Sequence, residues 1–139
     1  MRSIVRASKK RPRIRLTAIN LTRDLPQKSY YLEAKAIHDF VRDEIRYVRD
    51  VRDVETIAYP EVTLDIGAAD CDDAVVLAAS LLESIGHPTR FVAIGRAPDH
   101  YEHVYLETKI GDRWVASETT EPWAFGKRPH LGFSMVIYN

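Results

Sequence analysis

The stretch GAADCDDAVVLAASLLESIGHP, residues 67–88, decides how this chain is read. Asp70 or Asp72 suits the start of a helix, because a short carboxylate accepts the unpaired backbone N–H groups of a first turn. Ala74, Val75, Leu77, Ala78, Leu81, Leu82 and Ile85 follow, apolar almost all round the helix. Gly86 and Pro88 then stop it, in the order expected past a helix C-terminus. A helix so apolar on most of its circumference belongs in an interior. Cys71 falls in its first turn, just after a loop that contains Gly67.

Working outward, residues 28–47 carry Leu32, Ala36, Phe40, Val41 and Ile45 near helical spacing, with no Gly or Pro between them. They predict one amphipathic helix. Residues 48–66 contain Pro60 and mixed polarity, and read as a long loop. Residues 12–22 (PRIRLTAINLT) alternate in part and hold β-branched residues, so a first strand is expected there, with Pro26 as a break. Downstream, strands are expected at about 89–96, 101–110, 113–120 and 132–138. Helices first and antiparallel strands after predict an α+β domain: N-terminal helices, and a buried cysteine helix packed on an antiparallel sheet.

The chain has 139 residues, the size of one domain able to bury a core. Its 45% apolar and 29% charged content is ordinary for a globular protein. No apolar run reaches the length of a membrane span, and no apolar stretch follows the basic N-terminus as it would in a secretory signal. One cysteine excludes an internal disulfide framework. A cytoplasmic protein is the simplest expectation, with export by another route left open.

The zero net charge hides an asymmetry. Residues 1–15 hold seven bases and no acid, so the remaining residues hold thirteen bases against twenty acids. We therefore divide the chain into a basic arm, 1–15, and a domain, 16–139. A basic arm can bind nucleic acid or an acidic partner. It can equally be a solvated tail, or dock on the acidic body of its own chain. No aromatic residue is interleaved with its bases for stacking, which favours the last two readings.

The position of Cys71 has a chemical meaning. Unpaired N–H groups and the positive end of the helix dipole favour a thiolate and can hold an oxyanion. Asp70, Asp72 and Asp73 oppose a second negative charge, so an imidazolium is needed beside the sulfur. A cysteine in an apolar helix is more often an inert packing residue, although buried cysteines seldom sit in an acidic run.

The downstream hairpin offers the partners. Gly111-Asp112 suits a two-residue turn, which sets Ile110 opposite Arg113, Tyr105 opposite Glu118 and Thr120 opposite His103. His103 and Glu118 become diagonal neighbours on one face, about 7–8 Å apart at Cα. A slip of one residue would send Glu118 to the other face and leave another acid, or Thr120, to orient His103. Asp70, Asp72, Asp73 and His103 do not form a calcium loop or a zinc spacing. No metal or cofactor is expected. Asp73 is instead available to the preceding loop or to a base such as Arg90.

These phrases resemble the transglutaminase-like superfamily, which has a papain-type core. Residues 67–73 are similar to its nucleophile turn, and 79–95, through His87-Pro88-Thr89-Arg90, to the helix end and strand that follow. His103-Val-Tyr-Leu-Glu and Asp112-Arg-Trp-Val-Ala-Ser-Glu118 resemble its histidine strand and its "GxWxxxD" strand, with Glu118 where the family usually has Asp. Tyr47 lies in a phrase like its upstream aromatic one. The resemblance covers about residues 30–122, and the chain's small size and its Thr119-Thr-Glu-Pro phrase further resemble members encoded by phages and prophages. It implies a Cys71–His103–Glu118 triad acting on a peptide or carboxamide, with Tyr47, Asp70 and Thr120 supporting the site. The alternative it implies is an inactive relative with a binding or phage-assembly role.

Overall fold

The computed structural model describes residues 1–49, 57–130 and 132–137. Cys71–Ser84 form α5, and every residue from Ala74 to Leu82 is buried. Leu77 and Leu81 are fully enclosed, each contributing about 1.5–3 kcal/mol of apolar burial. Four helices pack around α5: α1 (Arg2–Ser8), α2 (Pro12–Thr22), α3 (Tyr30–Glu44) and α4 (Pro60–Ile66). Two short strands, β1 (Arg46–Tyr47) and β2 (Ala68–Ala69), pair in parallel just ahead of α5.

The other side of α5 rests on an antiparallel sheet of β3 (Thr89–Ala97), β4 (His100–Ile110), β5 (Arg113–Ser117) and β6 (Phe133–Ile137), in the order β5-β4-β3-β6. Alternation divides its faces. Phe91, Val104, Leu106 and Val115 join the helical core, whereas Val92, Ile94, Tyr105 and Ala116 form a second apolar cluster. This is the α+β arrangement read from the sequence. The hairpin register is also the expected one: Ile110 pairs with Arg113, and the ladder runs without a slip to Leu106 and Ser117.

Two expectations are corrected. Residues 12–22 are not a strand but helix α2. Pro12 occupies its first turn, where a missing N–H costs nothing. Ile14 and Ala18, four residues apart, are fully buried, so packing at helical spacing overrides β-branched propensity. The loop expected over 48–66 contains a helix as well. Pro60 opens α4, and Gly67, at φ 71°, closes it in the left-handed conformation. Residues 50–56 of that loop lie outside the described residues.

The basic N-terminal segment is helical. Val5 and Ile14 are fully buried in the core. Arg2 and Lys9 both pair with Glu83 on α5. Arg11 reaches Glu61 and Arg13 reaches Asp65, each at 2.7 Å, on α4. The segment thus lies on acids of its own chain, and the division drawn after residue 15 falls inside α2. Among the described residues, no helix is long and apolar enough to cross a membrane.

Candidate active site

The backbone ahead of Cys71 is pinned on both sides. Arg46 N–H donates to the Gly67 carbonyl at 2.8 Å, and Val48 N–H to the Ala69 carbonyl at 2.9 Å. That pairing also brings Tyr47 beside the start of α5. Asp70 is the helix cap, accepting the Asp73 N–H at 2.9 Å. Asp73 turns to the loop and accepts the Ala58 N–H at 2.7 Å. Arg90, the other partner considered for Asp73, binds Glu107. Asp72 faces the cysteine, its Oδ1 3.9 Å from Cys71 Sγ.

Cys71, unlike the interior of its helix, is half-buried and reachable. His103 stands on β4 and lines the same cleft as Cys71, close enough for the sulfur to act on its charge. Its Nε2 bonds Glu118 Oε2, which leaves Nδ1 for the sulfur. Glu118 is only 2% exposed. Its remaining oxygen, Oε1, accepts both the Thr120 N–H at 3.1 Å and the Thr120 hydroxyl at 2.7 Å. Hydrogen bonds therefore run from His103 through Glu118 to Thr120, with Cys71 in the same cleft as His103.

The electrostatics follow from that arrangement. Burial works to lower the His103 pKa, but hydrogen bonds with Cys71 and Glu118, and their negative charge, outweigh it and hold the imidazolium up to about 10. The Tyr47 phenol is also raised, first by burial and then by negative charge at Cys71, against the opposing Arg49. Behind the site, His38 is buried, with Nδ1 2.8 Å from Ser117 Oγ and Nε2 2.9 Å from the Trp123 carbonyl. Burial lowers its pKa, so it serves as a neutral brace at the end of β5.

The location is a consequence of the sheet. The β3–β4 ladder is regular from Thr89 to the Ile94–His103 pair and shifts at Gly95. Glu118 lies one residue past the end of β5. The site forms where the β3–β4 ladder shifts register and the β4–β5 ladder ends. A cleft of about 350 Å³ opens there, lined by Cys71, Asp72 and His103 with Ala93, Tyr101, Glu102 and Val104.

The structure thus brings Cys71, His103, Glu118 and Thr120 to one site, with Asp70 as the cap and Tyr47 alongside. Thr120 binds the acid rather than the histidine it was expected to oppose. Sequence reasoning missed Tyr101 and Glu102 as cleft residues. The available signal was that Tyr101 precedes His103 by two on the same strand. His100, a competitor to His103, is exposed at the start of β4 and does not line the cleft.

The model of the transglutaminase-like superfamily matches residues 19–119. Among solved structures, the chain is similar to a candidate protease from Parabacteroides distasonis, with a TM-score of 0.68 at 11% identity. It is also similar to a candidate cysteine protease from Cytophaga hutchinsonii, with a TM-score of 0.62 at 17% identity. The first match covers 84% of this chain and 25% of that protein, the second 91% and 46%. The chain therefore spans less than half the length of either, and identity this low establishes shared fold alone. No curated protein matches the sequence.

Proposed function

We propose that this chain, which belongs to the transglutaminase-like superfamily, is a cysteine-dependent acyl-transfer enzyme acting on a peptide or carboxamide bond. Cys71 is the nucleophile, His103 the proton carrier and Glu118 the residue that orients His103. The observation that carries this reading is the half-buried Cys71 in one cleft with His103, which hydrogen bonds link to the buried Glu118 and on to Thr120.

The chemistry runs as follows. His103 holds the Cys71 thiolate as an ion pair, and the sulfur attacks the carbonyl carbon. The oxyanion is held by the Cys71 backbone N–H, which has no acceptor within the first turn of α5, with Tyr47 close by. When the C–N bond breaks, His103 returns its proton to the leaving nitrogen. A thioester on Cys71 remains. His103 then takes a proton from the acceptor that attacks it, and free acid and thiol result when that acceptor is water. The cleft is open and Cys71 reachable, so water has access, and we assign hydrolysis over transfer to an amine.

Thiol alkylation tests this directly. Near neutral pH, Cys71 should react with iodoacetamide about tenfold or more faster than a free cysteine, and His103→Ala should remove that advantage. A thiol-directed amide-mimic probe should label only folded protein that retains His103. A Cys71 that reacts like free cysteine whatever occupies position 103 would sink the proposal and leave the fold with a binding role.

A further inference from the structure

On the sheet face away from α5, Glu107 is 2% exposed and held by two arginines. Arg90 reaches its Oε1 through Nε at 2.8 Å and Nη2 at 2.6 Å, while lying over the Trp114 ring at 4.2 Å. Arg128 reaches Oε2 through Nη2 at 2.9 Å. These three groups border a cavity of about 180 Å³ that shares no lining residue with the Cys71 cleft. Among the described residues of the lining, Glu107 is the acid that faces the two arginines.

The rest of the lining has a definite chemistry. Val92 and Ile94 supply an apolar wall, and Tyr105, 3% exposed, stands with them. The Tyr105 hydroxyl has no hydrogen-bond partner among the described residues. It stands on the cavity lining and is available to a ligand as a donor. Burial, then the charge of Glu107, pushes the phenol up to about 12, so it remains a donor at physiological pH. Ser134 and His130 add polar groups. Arg128 uses only Nη2, on Glu107 and on the Trp114 carbonyl at 3.3 Å, so Nε and Nη1 have no partner among the described residues.

We propose that this cavity binds a small carboxylate carried on a short apolar body, recognised by Arg128, Tyr105 and Ser134. A carboxylate matches the Arg128 guanidinium with its unused nitrogens and accepts from all three donors, and the apolar body covers Val92 and Ile94. A dianionic phosphate fits less well, because Glu107 stands in the same lining. Two sources carry this chemistry: a free short-chain acid, and the C-terminal residue of a peptide. The site is independent of Cys71 and so of the acyl-transfer reading.

Backbone-amide NMR of the whole chain tests it, with butyrate, N-acetyl-alanyl-valine and N-acetyl-alanyl-valine amide as probes. Saturable shifts around Val92, Ile94, Tyr105 and Arg128 are expected with the acids and not with the amide. Tighter binding of the peptide acid than of butyrate assigns a peptide terminus, and the reverse a free acid. Arg128→Gln should weaken binding about tenfold and Tyr105→Phe about threefold. Both substitutions are mild, and the same spectra report whether the fold is intact. No saturable shift in the millimolar range, equal binding of acid and amide, or unchanged affinity in folded Arg128→Gln and Tyr105→Phe would each overturn the proposal.

Discussion

Glu118 is one methylene longer than the aspartate in the phrase that its strand resembles, and Thr120 is what steadies the extra length. With Oε1 fixed by the Thr120 N–H and hydroxyl, Oε2 is aimed at His103. The approach of His103 to Glu118 was readable as far as the Gly111-Asp112 turn sets the register, which holds to the Leu106–Ser117 pair, one residue short of Glu118. The clamp by Thr120 was not, because it lies beyond the end of β5, where alternation no longer dictates direction. On the proposed mechanism, Glu118→Gln removes one of the two charges, with Cys71 the other, that raise the His103 pKa. It should lower turnover by about 10²–10⁴-fold, as losing an orienting carboxylate does elsewhere. A raised imidazole pKa means its charged form is fully favoured below the ordinary histidine value and lost as pH rises through about 10. His103 must be charged to protonate the leaving nitrogen, so the alkaline limb of turnover should lie near 10 in the wild type and move to lower pH in Glu118→Gln. Thr120→Val should have a milder effect, a loss of about threefold to tenfold in turnover with the acid still present. A pH–rate profile for each variant checks both.

At the scale of elements, α5 was readable because its signals agree: a capping aspartate, apolar residues all round, then Gly86 and Pro88. The helices α2 and α4 were not, for different reasons. In α2 the β-branched Ile14, Thr17 and Ile19 mimic a strand, and only the burial of Ile14 and Ala18 separates the two periods. In α4 seven residues are too few to show a period, though Pro60 and Gly67 mark its ends. Asp70→Ala should cost about 1 kcal/mol by freeing the Asp73 N–H, and Asp70→Asn much less, measurable from urea midpoints. Gly95 is a sharper test of how elements position the site. A Cβ built there would lie 1.7 Å from the His100 carbonyl oxygen, at the register shift that leads β4 into His103. Gly95→Ala must push that backbone away. We expect a destabilisation of about 2 kcal/mol or more, with slower Cys71 alkylation in the fraction that remains folded. A variant as stable and reactive as wild type would show that the crossing at His100 does not hold His103 in place.

At the scale of the whole molecule, the charge asymmetry visible in the sequence becomes an internal fastening. Its location could not be read, because a basic segment looks the same whether it meets solvent, a partner or its own chain. Glu83 decides it. Set at the end of α5 and largely buried, it accepts from Arg2, Lys9 and Thr89 together. Burial works to raise its pKa, but those donors and their charge outweigh it and hold the carboxyl below its usual range. A carboxyl depressed in the folded state contributes stability above its ordinary pKa, and that contribution is lost as pH falls through the folded value. Acidification should therefore loosen α1 from α5 before neutral solution conditions give any sign of weakness. Glu83→Gln should cost about 1–3 kcal/mol near neutral pH, because the largely buried Arg2 and the partly buried Lys9 lose the carboxylate that they share. The same variant should lose less stability than wild type between about pH 7 and pH 3, since the titrating group is gone. Urea unfolding at both pH values, with hydrogen exchange at Val5 as a local reporter, measures the difference. Equal pH sensitivity in the two proteins would mean that the N-terminal helices are held by Val5 and Ile14 in the core, with the Glu83 ion pairs contributing nothing.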